Sequence, residues 1–426
     1  MSKRSRHLAL ALLMVSATTA GAQDFNWRAH EGETVRFLAN SNPIGKLLSD
    51  HEAEFEALTG INLVIDSYQE QQMRQRLMTV MNARSDEMDV FMTLPSREGM
   101  QFAAAGWYRD LMPYLENAAP DYDADGFAPS LIEASTFDGK LVGVPLNIEG
   151  PLLYYRTDIF QECGLDAPAS LEDIRAAAET LKECSDVTPF ASRGLAAATP
   201  YTFSAFMHNM GGEYMVNGES AMCSQPVKDA IALYAGLLQD YGPPGVVNYS
   251  FQQLTALYRA GRSAMSFESS NELSGVMEGG DRLGDTAIIP LPAGPGGSHP
   301  TVIGWSLAIS GNAANPDAAW YFLQWASSPG MQEKFALAGI APPRAAVSEA
   351  PEYKAWLEES PVRKQWQQAL TVLAETGTSE IGLPINGNPE SREYIGQAVG
   401  EVLLGGNVDD ACAKADIALN ELITRE

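Results

Sequence analysis

Along the chain, short apolar runs give way to segments whose apolar residues return every three or four positions, and the two patterns take turns. Thr34-Val-Arg-Phe-Leu-Ala39 reads as a strand and Asn40-Ser41-Asn42 as a polar turn. Pro43 reads as a first helical residue, since its fixed φ suits a helix start and its missing N–H would have no partner there. Leu48, His51, Phe55 and Leu58 recur at helical spacing until Gly60 stops the helix. Ile61 to Asp66 is a second strand, Met73, Leu77, Val80 and Met81 mark a second helix, and Met88 to Thr93 is a third strand. This β-α-β-α-β rhythm predicts a parallel sheet covered by helices. In such sheets ligands bind beyond the carboxyl ends of the strands, and here those ends carry Asn40, Ser41, Asn42, Ser96 and Arg97.

Further on, Asp138-Gly139-Lys140 is a turn, Leu141 to Pro145 is extended, and Leu152 to Tyr155 is a strand. Helical patterns follow at Leu171 to Lys182, Val227 to Gln239 and Phe251 to Ala260. Ala264 to Phe267 reads as a buried strand that ends in the polar run Glu268-Ser269-Ser270-Asn271. Ala287 to Leu291 is another strand, Thr301 to Ser310 contains Gly304-Trp305, and Asn315-Pro316 opens an aromatic-rich helix, Ala318 to Ala326. The last third reads as helical, ending at Asp409 to Leu422.

The length of 426 residues exceeds one ordinary hydrophobic core, so two domains are expected. Lys3, Arg4 and Arg6, the short apolar run Leu8 to Val15 and the small-residue site Ala20-Gly21-Ala22 together read as a signal peptide over residues 1–22. The expected location is therefore the periplasm. The formal net charge of −26 argues against nucleic acid as a partner and leaves a neutral ligand open. Cys163, Cys184, Cys223 and Cys412 form an even set in an exported chain, which reads as disulfides with three connectivities. Cys163 and Cys184 flank one helix, so that local pair is favoured, leaving Cys223–Cys412 to tie down the last helix. No C-x-x-C or H-E-x-x-H spacing occurs, and neither a metal nor a cofactor is expected.

Four segments carry a resemblance. They are Asp138-Gly-Lys-Leu-Val-Gly-Val-Pro145 with Leu153-Tyr-Tyr-Arg-Thr-Asp158; Phe206 to Glu213 with its Gly211-Gly212; Tyr258-Arg-Ala-Gly-Arg-Ser-Ala-Met265; and Asn315-Pro-Asp-Ala-Ala-Trp320 through Ser328-Pro-Gly to Pro342-Pro343-Arg344. In this order they resemble the extracellular solute-binding proteins of the maltose-binding, carbohydrate-importing type. The resemblance implies an α/β, two-lobed periplasmic-binding-protein fold. Each lobe would be a mainly parallel sheet flanked by helices, with discontinuous lobes joined by a hinge. The expected N-lobe is 24–143 plus about 287–335, and the C-lobe 144–286 plus about 336–426. It further implies a monomeric, non-catalytic receptor that closes on a small carbohydrate or polyol and delivers it to an ABC permease and its ATPase.

A sugar needs hydrogen-bond partners for its hydroxyls and apolar surface for its C–H faces. The resemblance points to Glu149 as a ligand carboxylate, Tyr201 and Trp305 as stacking rings, Arg344 as a polar contact, and Glu268 and Asn271 as a ligand loop. Asn40, Asn42, Gln69, Arg97 and Arg193 complete the candidate set. The loop 268–271 lacks the Trp that the family often places there, which hints at a small ligand. Three other readings compete. Arg97, Arg193 and Arg344 suit an anionic solute such as a sugar acid or glycerol phosphodiester. Glu149 with Glu268 could form a glycosidase pair. Tyr154-Tyr155 could bind ferric iron, although adjacent strand residues face opposite sides.

Overall fold

The apolar runs become the strands of two separate sheets. A computed structural model describes residues 25–278 and 283–426, so the signal-peptide reading lies outside the described residues. In the first sheet the strand order is Asn62–Tyr68, Thr34–Asn40, Val90–Thr93, Ser306–Ile309 and Val144–Pro145. The first three strands pair in parallel and the last two join antiparallel. Phe37, Phe91, Leu307 and Ile309 are buried in this sheet, and the helix Pro316–Ala326 packs Phe322 and Trp325 against Phe55. This is the N-lobe.

The second sheet runs Thr286–Pro290, Pro151–Arg156, Ser263–Ser269 and Thr188–Ala191. Helices Leu171–Cys184 and Gln225–Tyr241 cover one face, and Pro361–Thr376 covers the other. The cysteines fall into two pairs at disulfide distance, Cys163–Cys184 with Cα atoms 5.9 Å apart and Cys223–Cys412 at 5.3 Å, both in this C-lobe. Tyr154 and Tyr155 fall on opposite faces, Tyr154 in the core with Trp366 and Tyr155 against Phe160.

Two expectations need correction. The strand Thr286–Pro290 pairs with Pro151–Arg156, so the chain has not yet returned to the N-lobe at 287. It returns at about 303, where Ile303 bridges Glu149, while Val144–Pro145 still belongs to the N-lobe sheet. The C-lobe sheet is also mixed, not mainly parallel: only Ser263–Ser269 with Thr188–Ala191 is a parallel pair. The physical reason is direction. Pro151–Arg156 leaves the hinge, whereas its neighbours run back toward it, so they must be antiparallel to it.

Three backbone crossings link the lobes side by side. Glu149 and Ile303 exchange both backbone hydrogen bonds (2.8 and 2.7 Å), and Ile148 N–H donates to the Ala341 carbonyl at 3.0 Å. Ligand sites in this arrangement face the gap between the strand ends of the two sheets.

Candidate functional site

The gap closes around a cavity of about 480 Å³, open solvent at its mouth included. That volume lies toward the small end of ligand pockets and suits a small solute. Asn40 and Asn42 enter from the end of the first N-lobe strand. Asn42 also caps the helix Pro43–Asp50, accepting from Gly45 N–H at 2.9 Å. Trp305 is placed from the hinge, where its N–H donates to Asn147 Oδ1 at 2.9 Å. From the C-lobe come Arg193, Tyr201, Ser269 and Asn271. The loop 269–271 is held from behind, because Tyr154 and Trp366 donate to the carbonyls of Ser269 and Ser270.

Arg193 and the N-lobe arginines are paired before any ligand arrives. Arg193 forks onto Glu268, with Nε 3.0 and 2.9 Å from the two carboxylate oxygens and Nη2 on Oε1, and stacks at 4.2 Å over the Tyr201 ring. On the N-lobe side Arg74 bonds both Glu70 (3.1 Å) and Glu98, and Arg97 reaches Glu70 at 3.3 Å. Burial pushes the Glu70 carboxyl up, but Arg74, Arg97 and Arg193 outweigh it and bring its pKa to about 2. Glu149 and Glu272 lack such compensation. Burial raises Glu149 to about 7 and Glu272 to about 8, with Glu268 adding to the rise at Glu272. Asn147 donates to Glu149 at 3.1 Å, and Asn271 bonds the same carboxyl oxygen across the cleft.

Several buried polar atoms in the closed cleft have no partner. They include both amide atoms of Asn40, Oδ1 of Asn271, and the Tyr201 hydroxyl, which has Ser269 beside it without a well-formed hydrogen bond. Each unsatisfied group costs about 1–3 kcal/mol, a cost that a hydroxylated ligand would remove.

Of the residues singled out from sequence, Asn40, Asn42, Glu149, Arg193, Tyr201, Asn271 and Trp305 line this cavity, and Glu268 stands behind Arg193 as its counter-ion. The other three lie elsewhere. Arg344 is buried in the N-lobe, 3.7 Å over the Phe127 ring, donating to the carbonyls of Ser327 and Asp123. The Pro342-Pro343 turn thus aims it at the core. Arg97 is spent on Glu70 and Glu98. Gln69 stands at the N-cap position of the helix Glu70–Asn82 without a side-chain capping bond and with its side chain exposed, and its neighbour Glu70 turns inward instead. Sequence reasoning missed Glu70, Phe251, Glu272, Ile381 and Arg392. The offset from Gln69 could have suggested Glu70, and the polar run 268–271 could have suggested Glu272. Nothing in the sequence marks Ile381 or Arg392. Among the described residues, no cluster of His, Cys, Asp or Glu could hold a metal ion.

Comparison with known proteins places this geometry in context. The sequence profile described as bacterial extracellular solute-binding protein matches residues 42–333. An erythritol/L-threitol-binding protein of Mycolicibacterium smegmatis is 24% identical over 339 residues, 74% of this chain and 71% of the relative. The structure of a solute-binding protein from Agrobacterium radiobacter K84 in complex with ribitol superposes with a TM-score of 0.81 at 24% identity, covering 92% of this chain and 99% of that one. One from Thermotoga lettingae bound with α-D-tagatose gives 0.81 at 19% identity, covering 92% and 100%. Both likenesses show the two-lobed fold.

Proposed function

The chain belongs to the bacterial extracellular solute-binding protein family, and on that premise we propose that it is the periplasmic receptor of an ABC importer for a small neutral sugar or polyol. The observation that carries this reading is the interlobe cavity itself. It is small, it is walled by amides, hydroxyls and carboxyls from both lobes, and several of these have no partner when the cleft is closed and empty. A hydroxylated solute supplies those partners only in the closed form. It therefore shifts the population from open to closed by hinge motion at the crossings near Glu149, Ile303 and Ala341. The closed form is what a membrane permease would read.

A neutral solute is favoured over an anion because the arginines singled out for an anion are already engaged, and Arg392, which lines the cavity without a carboxylate of its own, shares it with three carboxyls, Glu70, Glu149 and Glu272. Arg193 is neutralised by Glu268 and Arg97 by Glu70, and Arg344 lies in the N-lobe core. The relatives that bind erythritol or threitol, ribitol and tagatose span four to six carbons, which suits the confined cavity. The family's role is capture and transport, and no chemistry on the solute is invoked.

The test is a thermal-shift screen of the exported protein, stripped of carried ligand with disulfides oxidised. The probes are erythritol, ribitol, D-mannitol, D-tagatose, gluconate and glycerophosphodiesters. A neutral probe at about 100 times its Kd should add about 2.7 kcal/mol and raise Tm by a few degrees. A rise with the anions alone would overturn the neutral reading.

A further inference from the structure

We propose that Arg392 is a ligand-contacting residue of the interlobe cavity and a determinant of its specificity for vicinal diols, delivered by the C-terminal helices and not by either sheet. The proposal rests on the functional reading above. Arg392 lies on the helix Asn388–Leu403, is 3% exposed, and lines the same cavity as Glu70 and Glu149. Its Nη1 donates to the Ile381 carbonyl at 2.8 Å, but its Nε is buried with no partner. Glu70, which lines the same cavity from the N-lobe, is paired with Arg74 and Arg97 instead. A desolvated guanidinium left without a dedicated carboxylate costs stability. Its retention at this position is explained if ligand oxygens complete it.

The position is built, not incidental. The loop 381–383 wraps the stem of Arg392: Leu383 N–H donates to Ser391 Oγ at 3.0 Å, and Asn388 Nδ2 donates to the Leu383 carbonyl at 2.7 Å. Gly382 makes this wrap feasible, since a Cβ there would stand 2.9 Å from Arg392 Cγ and from Ser391 Oγ. The helix packs along Val408–Arg425, which Cys223–Cys412 ties to the body of the C-lobe. Arg392 can only donate, and Glu70 as a carboxylate can only accept. Together they match two neighbouring hydroxyls of one ligand, one accepting from the guanidinium and the next donating to the carboxylate.

Isothermal titration calorimetry with erythritol, ribitol, D-mannitol and D-tagatose tests this on the whole exported chain. Arg392→Gln should bind the preferred probe about ten- to hundredfold more weakly, the scale of one lost hydrogen bond to a charged group. Its ligand-free Tm should be unchanged or higher, because an incompletely paired buried charge has been removed. Arg392→Lys keeps the charge without the planar fork and should fall between. Gly382→Ala, outside the cavity lining, should weaken binding by displacing the Arg392 stem. Arg392→Gln affinity within about twofold of the unsubstituted protein would overturn the proposal while leaving the receptor reading intact. So would weaker binding accompanied by a lower ligand-free Tm, which marks a structural role; should Arg392→Gln not fold, Arg392→Lys is judged by the same two criteria. No binding of any probe by the unsubstituted protein would overturn the receptor reading itself, and this inference with it.

Discussion

The two half-sites hold their charges in different ways. In the N-lobe, Arg74 and Arg97 share Glu70 and Glu98, and Glu98 is further anchored by the Leu94 N–H at 2.9 Å and the Thr93 hydroxyl at 3.2 Å. In the C-lobe, Arg193 depends on a single carboxylate, Glu268, and on the Tyr201 ring. The scaffolds differ in the same sense. The N-lobe sheet begins with three parallel strands from one stretch of chain, and its sequence from 34 to 145 contains no cysteine. The C-lobe gathers strands and helices from 151 to 425, and both cysteine pairs lie there. The charged groups of the N-lobe site all come from one stretch, 70–98, and form a network, whereas Arg193 and Glu268 lie 75 residues apart in the chain and form a single tie.

Breaking those ties is the strongest challenge to the comparison. Glu268→Gln removes the carboxylate bonded to the buried Arg193 and should cost about 3–5 kcal/mol. Glu70→Gln leaves Glu98 to Arg74 and Arg97, so it should cost about 1–3 kcal/mol. Urea denaturation of the two variants measures the difference, and equal losses would mean that the N-lobe network gives no redundancy. Next in size is the double replacement of Cys223 and Cys412 by Ala. The pair spans 189 residues, and its removal should cost about 2–4 kcal/mol. Hydrogen exchange should show lost protection in the helices Asn388–Leu403 and Val408–Arg425, with the sheet around Thr34–Asn40 unchanged. Uniform loss over both lobes would contradict their separate support.

Much of this contrast was legible in the sequence, and the limits have physical causes. A buried strand followed at once by polar residues marks a strand end at the cleft, and this located Asn40, Asn42 and Asn271. Flanking of one helix by Cys163 and Cys184 pointed to the local cysteine pair that the fold brings to 5.9 Å. Arginines were harder to place, because a guanidinium serves equally as ligand contact, network member or strut. Arg193 stands in the cavity wall, Arg97 in an ion-pair network and Arg344 in the N-lobe core, with no local signal to separate them. Helix-borne residues escaped for a different reason. Arg392 and Phe251 face the cavity only because long-range packing turns their helices toward it, and period alone cannot distinguish a cleft face from a core face. The lobe boundary slipped because a strand carries no mark of its direction, so Thr286–Pro290 was assigned to the wrong sheet.

The smallest effect sharpens the comparison through pH. Glu70, in the N-lobe network, is lowered from 4.5 to about 2, so its contribution to stability is present above pH 4.5 and is lost as pH falls through about 2. Glu149 at the hinge and Glu272 in the C-lobe are raised from 4.5 to about 7 and about 8. A raised folded pKa means that the folded state holds the proton more tightly, so their contribution is full below pH 4.5 and is lost as pH rises through 7 to 8. The acid edge of the stability profile should therefore respond to Glu70→Gln, and the neutral-to-alkaline slope to Glu149→Gln and Glu272→Gln. Each of the latter variants should flatten a loss on the order of 1–3 kcal/mol between pH 5 and 8, followed as the urea midpoint at each pH. Glu149→Gln keeps the shape and the hydrogen-bonding capacity of the neutral acid facing Asn147 and Asn271. An unaltered slope in that variant would mean that Glu149 is ionised in the closed cleft, and that the hinge carries a charge its surroundings leave unpaired.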